Sequence, residues 1–158
     1  MLRAGGHAVD INDDVGASDP TPIAYDVVVA GASIHGGHHQ ENLVRWARAH
    51  GPSLNMMPSA FFSVCLTAVD DTDEAHATTR DHLDDFEERT GWTPRRRTTF
   101  AGALQYREYG FLTRLVMRVL MKRGDHPTDT RRDYDYTDWE AVEAFARDCA
   151  ALPARAAA

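Results

Sequence analysis

The eight residues from 25 to 32 constrain the fold more than any other part of the chain. They read Tyr-Asp-Val-Val-Val-Ala-Gly-Ala, a nearly continuous apolar run that is typical of a strand covered on both faces, as in a parallel sheet. Two more such runs occupy residues 59–66 and 97–104. Helical patterns at 40–50 and 74–89 separate the three runs. Strands that alternate with helices in this way predict an open, doubly wound α/β sheet.

Weaker patterns predict further elements at the two ends of the chain. Residues 2–6 end in Gly-Gly, as the tail of a helix does, and residues 7–13 alternate, which predicts a short strand at a sheet edge. Thr137 and Glu140 have the spacing of a capping box and predict a final helix. Residues 151–158 show no periodicity and are expected to fray.

The size of the chain indicates one domain. Its 158 residues, of which 43% are hydrophobic, are enough to bury a core, and we expect that domain over residues 1–150. No apolar run approaches the roughly 20 residues of a membrane span, and the first residues lack the apolar centre of a signal peptide, so we expect a cytoplasmic protein. Cys65 and Cys149 have apolar neighbours and no metal-site spacing, which favours buried thiols.

The charge is distributed unevenly along the chain. The net charge of −7 argues against a nucleic acid as the partner. The segment 95–123, however, carries +7, so the remainder carries −14. Within it, residues 109–123 form an amphipathic helical pattern that places Arg114, Arg118 and Lys122 on one side. Such a helix suits anionic lipid or an acidic substrate; the alternative is a core helix with a solvated polar face.

The strand-to-helix loops are the expected site. Ligands of doubly wound sheets bind outside the carboxyl ends of the strands. The loop after the first strand carries Gly36 and Gly37, which allow the backbone to approach a ligand closely; the alternative is an ordinary glycine-rich turn. Its histidines, His35, His38 and His39, lack a carboxylate or cysteine at metal-site spacing, so no metal is predicted.

Several ordered motifs resemble one family. They are Tyr-Asp-Val-Val-Val-Ala-Gly-Ala-Ser-Ile at 25–34 followed by Gly36 and His38, Asn-Met-Met-Pro-Ser-Ala-Phe-Phe-Ser-Val at 55–64, Ala-Gly-Ala-Leu-Gln-Tyr at 101–106, Thr-Asp-Thr-Arg at 128–131 and Tyr-Thr-Asp-Trp-Glu at 136–140. Together they resemble the third, fourth and fifth strands and the last helix of the flavodoxin-like protoporphyrinogen IX dehydrogenases. The resemblance covers roughly residues 1–150.

The resemblance implies a fold and a function. The fold is a parallel sheet of strand order 2-1-3-4-5, with a basic helical insertion at about 105–136. The function is FMN-dependent oxidation of protoporphyrinogen IX with a quinone acceptor, in haem biosynthesis. It also implies peripheral contact with the anionic inner face of the cell membrane. The alternative within the same fold is a plain FMN electron carrier.

The resemblance also implies site residues, although it identifies no catalytic residue. The FMN contacts would be Ser33, Ile34, His35, Gly36, Gly37 and His38 from the first loop, and Leu66, Thr67 and Ala68 from the second. Arg114, Arg118 and Lys122 would bind the substrate propionates or the membrane.

One feature of the family has no counterpart in this sequence. The motifs begin at what corresponds to the end of the family's first helix. The first strand and the Ser/Thr- and Gly-rich loop that holds the FMN phosphate would precede Met1. We therefore expect a member of the family truncated at its N-terminus. The alternative is a flavin-free remnant.

Overall fold

The structure is a computed structural model that describes residues 1–104 and 133–153. The predicted basic helix with Arg114, Arg118 and Lys122 lies outside these residues, as does most of the tail that was predicted to fray.

The described chain alternates between helices and strands. In chain order, its elements are α1 (Val15–Ser18), β1 (Val28–His35), β2 (His38–His39), α2 (Glu41–Asn55), β3 (Ser59–Val64), α3 (Asp73–Thr90), β4 (Arg96–Phe100), β5 (Ala103–Leu104), β6 (Tyr134–Asp135) and α4 (Trp139–Ala150). Short 3-10 turns occupy Arg3–Gly5, Pro22–Ala24 and Leu66–Val69. One sheet has the order β2-β1-β3-β4, and β5 pairs with β6 in a second. The predicted α/β class is confirmed.

Strands β1, β3 and β4 are parallel, and the ladders between them end at the same level. The register of β1 on β3 runs from Val28 opposite Ser59 to Ser33 opposite Val64. The register of β3 on β4 ends at Val64 opposite Phe100. One hydrogen bond beyond the ladder, from the Cys65 N–H to the Phe100 carbonyl at 2.9 Å, continues this alignment. The loops that follow these strands therefore leave from one edge of the sheet.

The main core lies between one face of the sheet and helices α2 and α3. Phe61 of β3 stacks on Phe86 of α3 with ring centroids 3.9 Å apart. Trp92 is fully buried, and its indole N–H donates to Ser59 Oγ at 3.0 Å. Ser59 in turn donates to the Leu54 carbonyl at 3.0 Å. The indole N–H and the Ser59 hydroxyl are thus both paired, as burial requires.

The opposite face of the sheet is only partly covered within the described residues. Helix α4 packs there, with the Phe145 ring near Phe62 and Phe100. Along β1, Ala30 is buried while Val29 is 38% exposed. The prediction that this strand is covered on both faces is therefore wrong for the described part of the chain, because α4 lies over β3 and β4 and leaves β1 beside a groove.

The predicted edge strand at residues 7–13 does not form. These residues are irregular, and the Val9 carbonyl accepts from the Arg3 guanidinium at 2.8 Å. The segment instead lines one side of a groove of about 520 Å³, with β1 on the other side. Alternation of side chains describes the faces of a strand, but it cannot supply the neighbouring backbone that a strand must pair with.

Three predicted boundaries are also wrong. Helix α2 continues past residue 50 to Asn55, whose amide bonds the Gly91 carbonyl and the Thr93 N–H, each at 2.8 Å. These contacts outweigh the stop signal of the Gly-Pro pair. The run at 97–104 breaks at Gly102, whose φ of 73° is incompatible with a continuous strand. Asp138, not Thr137, caps the last helix.

Candidate functional site

Residues 33–39 form a β-hairpin rather than the predicted loop. Strand β1 continues to His35, and β2 returns antiparallel, so that His35 pairs with His38. Gly36 and Gly37 make the two-residue turn, with φ of 59° and 87°. Two successive residues with positive φ close the tightest hairpin, and glycine adopts them without strain. The Gly-Gly pair is therefore needed for the turn itself, whether or not a ligand approaches its backbone closely.

The tip of this hairpin is open on its outer side. A β-carbon added at Gly36 or Gly37 would meet no atom within 4 Å. Below the tip, the Ser33 hydroxyl and His35 Nε2 share a hydrogen bond at 2.8 Å, and the Ser33 N–H donates to the Gln40 side chain at 3.3 Å. The backbone of the turn is therefore accessible to a flat ligand, while hydrogen bonds of Ser33 hold the base of the hairpin in place.

The second predicted segment leaves the same edge of the sheet. Residues Leu66–Val69 form a 3-10 turn, closed by a hydrogen bond of 3.0 Å from the Ala68 N–H to the Cys65 carbonyl. Leu66, Thr67 and Ala68 are all half-buried. Since Ser33 lies opposite Val64, both predicted loops emerge at one level. The structure thus brings all nine predicted cofactor contacts to a single edge.

A buried histidine fixes the base of the hairpin. His39 is 4% exposed, and its Nε2 shares a hydrogen bond with Ser63 Oγ at 3.0 Å. Burial, reinforced by the nearby His82, lowers the pKa of His39 from 6.5 to about 4, so the imidazole is neutral at physiological pH. The sequence reasoning did not select His39 as a contact. The alternation along β2, exposed His38 and then buried His39, carries the signal.

No metal centre is present among residues 1–104 and 133–153, where no group of three or more His, Cys, Asp or Glu side chains is arranged to hold an ion. His35 and His38 are exposed whereas His39 is buried, so these histidines face different surroundings. Cys65 and Cys149 are free buried thiols, and burial raises the pKa of Cys149 to about 11.

The helix N-termini that the structure describes do not suit a phosphate group. The Thr72 hydroxyl accepts from an amide at the start of α3, and Asp73 and Glu74 follow it in the first turn. The start of α2 carries Glu41, and Asp138 caps α4. A carboxylate at a helix N-terminus competes with a bound anion for the same amides. The described starts of α2, α3 and α4 therefore offer no site for a phosphate group.

No helix in the described part of the chain has both the length and the apolar character needed to span a membrane.

Comparison with known proteins agrees with this architecture. A family model described as a flavodoxin domain matches residues 1–131. Protoporphyrinogen IX dehydrogenase (quinone) of Leishmania major is 42% identical over 129 residues, which are 82% of this chain and 55% of that protein. The protein of the same name from Escherichia coli K12 is 36% identical over 151 residues, which are 96% of this chain and 83% of that protein. No solved structure matches the chain significantly.

A parallel sheet with its candidate loops at the carboxyl edge is the arrangement of the flavodoxin class. The chain belongs to the flavodoxin domain family and, within it, to the protoporphyrinogen IX dehydrogenase (quinone) family of oxidoreductases. The resemblance read from the sequence motifs is therefore confirmed. A flavodoxin domain implies a flavin cofactor. The chain spans about half the length of its Leishmania major relative.

Proposed function

We propose that this protein oxidises protoporphyrinogen IX to protoporphyrin IX, with FMN as its flavin and a quinone as its electron acceptor, in haem biosynthesis. The observation that carries the proposal is the 36% identity to the Escherichia coli dehydrogenase over 96% of the chain. The meeting of both candidate loops at one sheet edge supports it, because this is where doubly wound folds bind their ligands.

The residues at this edge would hold the flavin ring. The turn at Gly36 and Gly37 would bring main-chain amides to the ring edge, where no side chain intervenes. The rest of the hairpin, together with Leu66, Thr67 and Ala68, would line the ring. Bound FMN supplies the hydride or electron chemistry, whereas the protein supplies position and electrostatics. Full oxidation of the porphyrinogen takes repeated rounds.

The basic segment would bind the substrate or the membrane surface. Arg114, Arg118 and Lys122, which lie outside the described residues, are proposed to bind the propionates of the porphyrinogen or anionic lipid at the inner face of the cell membrane. Co-sedimentation with anionic and with neutral vesicles tests the lipid contact. Loss of anionic binding in an R114A/R118A/K122A variant is expected, and equal binding to both vesicle types would refute it.

FMN titration, followed by quenching of flavin fluorescence, tests the cofactor site. The Gly37→Val variant forces a β-branched residue into a φ of 87°, and Gly6→Val does the same at a φ of 88° outside the hairpin. At neither position would the added β-carbon meet another atom within 4 Å, so the two variants impose a similar backbone strain. We expect Gly37→Val to weaken FMN binding at least tenfold and Gly6→Val to leave it unchanged.

Anaerobic reduction of the bound flavin by protoporphyrinogen IX, and its reoxidation by a quinone, tests the reaction. A flavin that binds but is not reduced by the porphyrinogen would indicate the electron-carrier alternative. A chain that binds no FMN would indicate the flavin-free alternative.

A further inference from the structure

Strand β2 is too short to hold the hairpin in position by itself. Strand β2 contains two residues, His38 and His39, and its ladder to β1 has two residue pairs. Isolated two-stranded hairpins are marginal in water even when they are longer. Strand β1 is attached to β3 only as far as Ser33, and Gln40 accepts a hydrogen bond from the Ser33 N–H, so the orientation of the Gly36–Gly37 turn also depends on how β2 contacts the rest of the domain.

His39 makes that contact. Its side chain reaches from β2 to β3, where Nε2 shares the 3.0 Å hydrogen bond with the buried hydroxyl of Ser63. Its ring meets Phe61 edge-on at a centroid distance of 5.4 Å and Phe86 of α3 at 5.2 Å. Its neighbour His38 points to solvent. One side chain thus connects the hairpin to a central strand and to a helix.

We propose that His39 is a positioning residue, whose hydrogen bond to Ser63 and packing against Phe61 and Phe86 hold the Gly36–Gly37 turn at the carboxyl edge of the sheet. The anchoring of the hairpin is independent of any ligand. The consequence for flavin binding rests on the function proposed above.

The surroundings of His39 favour its neutral form. His82, Asp85 and Arg89 of α3 are the charged and titratable groups that act on His39, and Ser63 faces it from β3. The Asp85 carboxylate favours the imidazolium, but burial, His82 and Arg89 outweigh it and lower the pKa of His39 to about 4. An imidazolium at this place would be buried without a carboxylate partner at hydrogen-bond distance among the described residues, which is costly.

Amide hydrogen exchange of the flavin-free chain tests the anchor. The reporters are the amides of the hairpin, with those of β3 as an internal measure of global opening. We expect His39→Ala to speed exchange in the hairpin at least tenfold while β3 stays protected, and His39→Gln, which retains a hydrogen-bonding group, to restore part of the protection. His76→Ala is the control, because His76 is exposed and pairs with the exposed Asp71.

Two further readouts separate positioning from general stability. In the wild type, hairpin protection should fall with a midpoint near pH 4, and in His39→Gln this step should vanish. With FMN added, His39→Ala should raise the dissociation constant at least fivefold, with His39→Gln in between.

The outcomes distinguish the two proposals. A hairpin that loosens in His39→Ala supports the anchor even if the wild type binds no FMN, a result that would count against the proposed function alone. Unchanged hairpin exchange in His39→Ala would overturn the anchor. A loosened hairpin with unchanged FMN affinity would overturn its positioning role.

Discussion

A single methyl group at Gly31 is expected to destabilise the sheet, because the Phe62 ring of the neighbouring strand lies directly over this glycine. A β-carbon at Gly31 would lie within 2.5 Å of three carbons of that ring, whereas real β-carbons essentially never come closer than 3.0 Å. The backbone of Gly31 does not have a positive φ, so alanine is compatible with the strand itself. The ring must therefore move aside in Gly31→Ala.

The cost follows from what the ring touches. Phe62 packs near Phe100 and Phe145, with centroid distances of 5.7 and 6.2 Å. An aromatic pair contributes about 0.5 to 1.5 kcal/mol beyond its area, so losing both costs about 1 to 3 kcal/mol. Alanine offsets about 0.4 to 1 kcal/mol by restricting the unfolded chain. Subtracting the offset leaves a fall of about 0 to 2.6 kcal/mol in the free energy of unfolding. Because overpacking usually costs about 1 to 3 kcal/mol, we expect a fall of about 1 to 2 kcal/mol.

Urea unfolding followed by circular dichroism measures this effect in two backgrounds. The Phe62→Leu background lacks the three ring carbons that overlap the new methyl group but keeps an apolar side chain. There, Gly31→Ala should be neutral or stabilising by up to about 1 kcal/mol. An equal cost in both backgrounds would show that Phe62 is not the cause. No cost in the wild type would show that the ring moves without losing its contacts.

Three further outcomes are expected, each measured by urea unfolding. Gly102→Ala combines a φ of 73° with overlap of the Val64 side chain and should cost about 1 to 3 kcal/mol. Trp92→Phe removes the N–H donor to Ser59 and leaves a gap in the core, and should cost about 1 to 3 kcal/mol. Acidification should destabilise the wild type through His39. The pKa of His39 falls from 6.5 to about 4 on folding, so the unfolded chain takes up a proton at a higher pH than the folded chain does. The stability is therefore fully present above pH 6.5 and is lost as the pH falls towards 4, by up to about 3 kcal/mol.

A specific result would contradict each of these three predictions. Gly102→Ala without loss of stability would show that the end of β4 adapts to a negative φ. Trp92→Phe at no cost would show that the indole hydrogen bond contributes nothing net. If His39→Gln showed the same loss of stability between pH 6.5 and 4 as the wild type, other groups would be responsible for it.

The sequence determined the central elements because their local and tertiary preferences agree. Strand β3 and helix α3 were predicted nearly to the residue. In β3 an apolar run is buried along its length, and α3 has a cap at Thr72 and a left-handed glycine at Gly91. The level ends of the parallel strands followed from the alternation of strands and helices. The two candidate loops could therefore be assigned to one edge without coordinates.

Where a backbone needs a partner from elsewhere, the sequence alone was insufficient. Residues 7–13 alternate like a strand yet pair with none in the described structure. Helix α2 passes through Pro52 because Asn55 bonds the distant Gly91. A local sequence pattern predicts which side chains of an element lie on the same face. It does not predict which distant backbone groups will lie beside that element and bond to it.

Some features of the candidate site could likewise be predicted from the sequence, whereas others depend on tertiary structure. Its glycines, its position at the carboxyl edge and its family were readable from the chain by itself, since they depend on residue type and order. The hairpin form of the first loop and the anchoring place of His39 were decided by tertiary structure. His39 acquires its low pKa and its hydrogen bond only when Ser63, 24 residues away, and the rings of Phe61 and Phe86 close around it, because burial depends on three-dimensional neighbours and not on the sequence around one histidine.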